Sequence, residues 1–301
     1  MNGKQIRIRY ENKAGYAFIA PWVIGFLGLM LIPLVCLIYF SFTRFDLLSS
    51  PQWVGLSNYV DIVFSDRKFV QSLKVTFIYV LVLVPARLAV ALMIAMLLNT
   101  RHRLIGTYRT MLYIPSIIGG SVAVAVMWGL LFSRTGAVNS VVQSIFGWNP
   151  NISWIADPRT ALGTLILLGI WQFGSPMVIF LAGLKNIPYS YYEAAIVDGA
   201  NGWQRFVKIT LPMLSPVILF NLVMQIINGF MTFTQGLIIT GGGPLDKTLF
   251  YQLYVYRTGF EYFQMGYASA LSCIMLVIVA LLALIVFKTS NMWVHYESRS
   301  E

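Results

Sequence analysis

Residues 14–43, 110–133, 160–184, 209–245 and 262–287 contain no Asp, Glu, Lys or Arg, and a sixth apolar run, 75–99, is interrupted only by Arg87. A helix needs about 20 apolar residues to cross a hydrocarbon core roughly 30 Å thick, and each run reaches that length. Backbone groups in lipid must be satisfied within the spanning element, so helices are the natural solution. The runs are too long and too continuously apolar for barrel strands. The fold class that follows is an all-α membrane protein with six transmembrane helices.

Charge supports that class and gives it a direction. Only 11% of the 301 residues are charged, against about 25% in soluble domains. The first run, at 30 residues, is about twice a signal-peptide core, and no small-residue cleavage site follows it. The formal charge of +10 reads as a topology signal rather than a nucleic-acid footprint. With six alternating spans and the amino terminus inside, twelve of the 21 basic residues fall on the cytoplasmic side and seven outside. The expected organisation is a cytoplasmic tail over 1–13, a membrane domain over 14–287 and a cytoplasmic tail over 288–301. The expected spans are 14–43, 70–98, 111–132, 161–183, 214–238 and 267–287. Residues 137–148 suit a short interfacial helix, with Trp148 and Trp154 as belt aromatics. Cys36 and Cys273 lie in separate spans and read as small membrane-buried side chains.

The segment between spans four and five, YYEAAIVDGANGWQRFVKITLPMLSP, is unlike the rest. Pro188 stops the preceding span. Ser190 with Glu193, and Asn201 with Gln204, have capping-box spacing, and Gly199-Ala200-Asn201-Gly202 separates them. Pro212 marks the junction with span five. Two short helices with a bend are expected over 190–212, too polar to insert, lying on the membrane surface or docked into a partner.

Glu193-Ala194-Ala195, Gly199 after three residues, and Ile209-Thr210-Leu211-Pro212 after nine more resemble the EAA loop of importer permeases in the ATP-binding-cassette superfamily. The resemblance covers nearly the whole chain. TGGGPLDKT followed by GYASAL at 266–271 is similar to the carbohydrate-uptake subgroup, and within it to the first of the two paired maltose/multiple-sugar-type permeases. It implies that Glu193, Ala194, Ala195, Asp198, Gly199, Ile209, Leu211 and Pro212 couple the chain to an ATPase. It implies as partners a second homologous permease, two copies of a nucleotide-binding subunit, an extracytoplasmic sugar-binding protein, carbohydrate and membrane lipid. ATP and Mg would be bound by the ATPase, leaving no cofactor in this chain. The setting implied is a bacterial or archaeal cytoplasmic membrane.

Four further features bear on chemistry. In span five, Asn221, Gln225, Asn228, Thr232 and Gln235 recur at i, i+4, i+7, i+11 and i+14, one helix face. Amides in lipid either bond across helices or face a water-filled path. Asn228-Gly229-Phe230 resembles the place where relatives contact sugar, so Asn228, Gln225, Thr232 and Asn221 are substrate-path candidates, with Trp171 and Gln172 in span four as further ones. Arg87 costs at least ~2.5 kcal/mol at mid-span and must face the bundle or a cavity. Gly241, Lys247 and Thr248 mimic a phosphate-binding loop, but Asp246 stands where its second Gly is required, and a tight turn is expected. His102 and His295 have no carboxylate or Cys cluster around them, so neither catalysis nor metal binding is expected. The rival reading is a self-sufficient secondary transporter or channel. It lacks the intramembrane Asp or Glu that ion coupling uses.

Overall fold

The computed structural model describes residues 3–100, 103–148 and 151–295, and it is helical almost throughout. Arg101, His102 and Arg299, which entered the charge and histidine arguments, lie outside the described residues. In chain order the helices are α1 (Gly3–Phe26), α2 (Ile32–Ser41), α3 (Ser57–Phe64), α4 (Arg67–Leu98), α5 (Ile105–Ile118), α6 (Val122–Leu131), α7 (Ala137–Phe146) and α8 (Ala161–Trp171). They continue with α9 (Gly174–Asn186), α10 (Tyr189–Val197), α11 (Gly202–Arg205), α12 (Leu211–Met213), α13 (Ser215–Phe230), α14 (Tyr251–Tyr256) and α15 (Met265–Ser290).

Three stretches are long and apolar enough to cross a bilayer unbroken: Gly15–Ser41, Arg67–Leu98 and Met265–Ser290. The other apolar segments are bent pairs rather than the plain spans expected from hydropathy. Helices α5 and α6 meet at 95°, α8 and α9 at 41°, and Gly202–Met213 meets α13 at 66°. Counting each pair as one crossing gives six. The breaks have local causes. Gly119 and Gly120 end α5, and Ser121, extended at φ −75° and ψ 152°, restarts the chain as the N-cap of α6. Phe173 and Gly174 interrupt span four, and Pro216 opens α13.

Two compact units are present. One comprises the residues up to Ser65 together with Val255–Leu276. Its helix begins at Gly3, inside the expected basic tail, and a π-helical turn, Leu27–Leu31, joins α1 to α2. The apolar surface of Gly15–Ser41 is not buried within the chain. The connection between Ser41 and Arg67 has structure of its own. Strand β1 (Thr43–Arg44) pairs antiparallel with β2 (Gln52–Trp53), with Thr43 opposite Trp53. Asn58 Nδ2 donates to Ser41 O (2.9 Å) and Thr43 O (3.0 Å), which pins α3 to the hairpin.

The second unit comprises Asp66–Tyr254 and the chain from Val277 onward. Helix α4 is its centre and packs against α8, α9 and α13. Val75, Tyr79 and Leu83, four residues apart, are buried on it. Further along, Ala91 and Ala95 are fully buried, small side chains that let a neighbouring helix approach closely. The amino end of α4 is tied down by Asp66, which accepts from Phe69 N (3.0 Å) and Tyr254 Oη (2.5 Å). Helix α7 forms within the 137–148 stretch expected to be a short helix. It is held by Asn139, whose Nδ2 donates to Arg134 O and Ile152 O (2.8 Å each) and whose Oδ1 accepts from Trp154 Nε1 (2.6 Å).

Candidate functional site

A cavity of about 350 Å³ opens within the second unit where the helix breaks converge. Its wall is mostly polar and includes Tyr79 and Arg87 of α4, Ser116 of α5, Gln172 and Ser175 at the break between α8 and α9, and Gln225 and Asn228 of α13. Thr232, Thr234 and Gln235 complete it beyond the end of α13. Among the described residues no Asp, Glu or Lys lines it. Of the six substrate-path candidates, the structure brings Asn228, Gln225, Thr232 and Gln172 to this one cavity.

Asn221 and Trp171 lie elsewhere. Asn221 is fully buried and neither end of its amide has a protein partner. It sits one helical turn before Gln225 and is not among the residues lining the cavity. Trp171 packs against Trp128 at a centroid distance of 6.0 Å. Adjacent residues at a helix end point about 100° apart, so Gln172 faces the cavity and Trp171 does not. The five-residue stripe is also not one continuous helix face. Helix α13 ends at Phe230, yet Thr232 and Gln235 return to the same cavity.

The break in span four frees the Gln172 carbonyl, and three donors converge on it. Arg87 donates from Nε (2.9 Å) and from Nη2, and Ser116 Oγ donates at 2.8 Å. Ser116 Oγ in turn accepts from Ser175 N (2.9 Å), the second residue of α9. Gln172 Nε2 reaches across to Gly119 O (3.0 Å), at the break in span three. Arg87 therefore faces the bundle interior, as its insertion cost demands. Ser116, Ser175, Tyr79 and Thr234 did not stand out in the sequence. The one local signal that could have pointed near Ser116 is Pro115-Ser116 followed by the Gly119-Gly120 pair.

The 190–212 segment forms the bent pair of short helices. Span four stops because Ile187, before Pro188, is extended at φ −74° and ψ 120°. The capping box at Asn201 is complete: Oδ1 accepts from Gln204 N (2.9 Å), and Gln204 Oε1 accepts from Asn201 N (2.8 Å). The expected box at Ser190 does not form. Pro188 takes the cap position and α10 starts at Tyr189, which moves Ser190 inside the helix. Gly199, at φ +77°, makes the bend. Gly199 N bonds to Ile196 O (3.0 Å) and Ala200 N to Ala195 O (2.8 Å), the paired contacts of a Schellman cap. Tyr192 Oη lies 2.9 Å from Thr210 Oγ1 and ties α10 to the π-helical turn Phe206–Thr210. Glu193, Ala194, Asp198 and Leu211 are exposed, Ala195, Ile209 and Pro212 half-buried. Val197 is 87% and Trp203 71% exposed, so an apolar surface stands out on a polar element.

The glycine-rich segment 240–248 is a tight turn. Thr248 Oγ1 donates to Thr240 Oγ1 (2.7 Å) and also contacts Gly243 O, which closes the loop on itself. Among the described residues no group of three His, Cys, Asp or Glu is placed to hold a metal ion.

Residues 54–290 match the family model described as "Binding-protein-dependent transport system inner membrane component". The chain is 57% identical over 300 residues to the probable ABC transporter permease protein YesP of Bacillus subtilis (strain 168), covering 99% of this chain and 97% of that one. It is 33% identical over 292 residues to the arabinooligosaccharides transport system permease protein AraP of the same organism, covering 94% and 90%. The backbone superposes with a TM-score of 0.81 on a chain of a bacterial alginate ABC transporter crystallised with an alginate pentasaccharide-bound periplasmic protein. Sequence identity there is 22%, and 95% of this chain and 96% of that one are covered.

Proposed function

This chain belongs to the family of binding-protein-dependent transport system inner membrane components, and on that premise we propose that it carries a carbohydrate, specifically an oligosaccharide, across the membrane through the cavity beside Asn228. It is a multi-pass permease subunit of an ABC importer. The observation that carries the substrate reading is the cavity wall: amides of Gln172, Gln225 and Asn228 and the Thr232 hydroxyl, converging inside an otherwise apolar bundle. Amides both donate to and accept from sugar hydroxyls. The AraP relative, an arabinooligosaccharide transport permease, supports the same class.

In this reading a second, similar permease completes the translocation path, and an extracytoplasmic binding protein delivers the sugar. Two copies of an ATPase subunit bind and hydrolyse ATP, and no nucleotide binds this chain. Both termini and the 190–212 segment are cytoplasmic. Glu193 pairs with a basic group of the ATPase, and Val197 and Trp203 supply the apolar contact. The segment moves as a unit because its bend is locked by a Schellman cap and a capping box. ATPase closure shifts it, the attached α9 and α13 follow, and the cavity is exposed to one side and then the other.

Co-purification with the ATPase subunit tests the coupling. Glu193→Ala and Gly199→Pro should each lower assembly and sugar uptake, and full retention of both by both variants would refute it. Asn228→Ala should lower uptake or change sugar selectivity while assembly persists; unchanged transport and selectivity would remove Asn228 from the path.

A further inference from the structure

We propose that the translocated oligosaccharide is acidic, and that Arg87 receives a carboxylate of it inside the cavity. The inference rests on the substrate path described above and adds the charge of the solute. Arg87 is the one charged side chain in the wall, and it forms no ion pair with a described carboxylate.

Its bonds to the protein do not account for it. Arg87 and Ser116 together place three donors on the single Gln172 carbonyl oxygen, which has two lone pairs. Ser116 alone satisfies that carbonyl with a neutral group, so closing the helix break does not require a cation. The bonds from Nε and Nη2 also use only two of the five guanidinium N–H donors. A carbonyl at the C-terminal end of α8 offers the partial negative charge of a helix end, equivalent to about half an electron. That partial charge stabilises the guanidinium without neutralising it, and the cation faces amides and hydroxyls in a bundle whose spans hold no acid. Intramembrane cations normally meet a partner or a solute.

Charge balance selects among anions. A guanidinium fork matches a carboxylate in a paired, planar contact. One guanidinium matches the unit charge of a carboxylate, whereas a sugar phosphate carries about −1.5 to −2 near pH 7 and would leave negative charge unpaired in a cavity with no second cation among its described lining residues. The neighbouring Gln225, Asn228 and Thr232 are suited to the hydroxyls of the same sugar ring.

The test is direct binding to the purified permease–ATPase assembly in lipid nanodiscs, without the binding protein, whose own selectivity would otherwise intervene. The probes are neutral trisaccharides on glucose, galactose and mannose backbones, each paired with its linkage-matched uronate trisaccharide. For the backbone that binds, the uronate member should bind wild type roughly 10- to 100-fold more tightly than the neutral one, as a charge-assisted pair implies. Arg87→Gln should abolish that difference, the uronate losing its roughly 10- to 100-fold advantage over its neutral partner. Arg87→Lys should keep part of the preference. Equal or tighter binding of neutral members to wild type would overturn the proposal and leave the carbohydrate reading intact. The same holds for an equal loss of both members in Arg87→Gln, which marks a structural role. Tighter competition by a phosphorylated trisaccharide would also overturn it. Binding of no trisaccharide would overturn the carbohydrate reading and this inference together. The wild-type comparison stands even where a variant fails to assemble.

Discussion

Gly174 offers a quantitative test of how the broken spans pack. A Cβ built there would lie 2.8 Å from Tyr113 Cα, 2.8 Å from Ser116 Oγ and 2.9 Å from Leu112 O, two of them backbone atoms of α5. Carbon contacts are optimal near 3.5–4.0 Å, so α5 and α9 must part by roughly 0.7–1.2 Å to admit a methyl group. Overpacking of this kind costs about 1–3 kcal/mol. Replacing Gly by Ala in a helix returns up to about 1 kcal/mol, and less at the first residue of α9. Gly174→Ala should therefore destabilise by about 1–2 kcal/mol. Gly163, inside α8, has nothing within 4 Å of the same probe atom, so Gly163→Ala should be neutral or stabilising. Gly183 falls between, because its Cβ would meet only the side chains of Val217 (2.8 Å) and Leu214 (2.9 Å), which can shift. Thermal unfolding of the detergent-solubilised assembly, followed by fluorescence-detected gel filtration, should rank melting temperatures Gly163→Ala, then Gly183→Ala, then Gly174→Ala. Sugar uptake should fall most in the last, since Ser116 lines the cavity and touches the Gln172 carbonyl. If Gly174→Ala melts at or above Gly163→Ala, the close approach of α5 and α9 is wrong.

Other tests follow from single contacts. Asn201→Ala removes a complete capping box and should cost about 1 kcal/mol locally, with faster proteolysis between Gly199 and Lys208; Asn201→Ser should restore most of the protection. Asn139→Ala removes three hydrogen bonds around α7 and leaves Trp154 Nε1 without its acceptor. Each bond is worth about 1 kcal/mol, so cleavage of the Arg134–Trp154 loop should accelerate at least tenfold while ATPase association is unchanged. Thr248→Val should open the 240–248 turn, which hydrogen exchange at the Gly242 and Thr248 amides would register as lost protection, with uptake as the functional readout.

Local signals in this chain were legible because their causes are local. Uncharged runs of 24 residues or more admit a membrane helix and little else. Asn201 and Gln204 find each other three residues apart, and Gly199 makes the bend that its neighbours cannot. Local reading failed at Ser190, where Pro188 claimed the cap, and along span five, where periodicity was extended past the end of α13 at Phe230. What only the tertiary structure decided is which polar groups share a space. Arg87 meets a carbonyl 85 positions away, released by a break in another span. Asn221 and Asn228 share a residue type and a helix, yet one is sealed in packing and the other lines the cavity. Sequence period determines the face a side chain occupies, but whether that face meets another helix or a void depends on where the other helices bend.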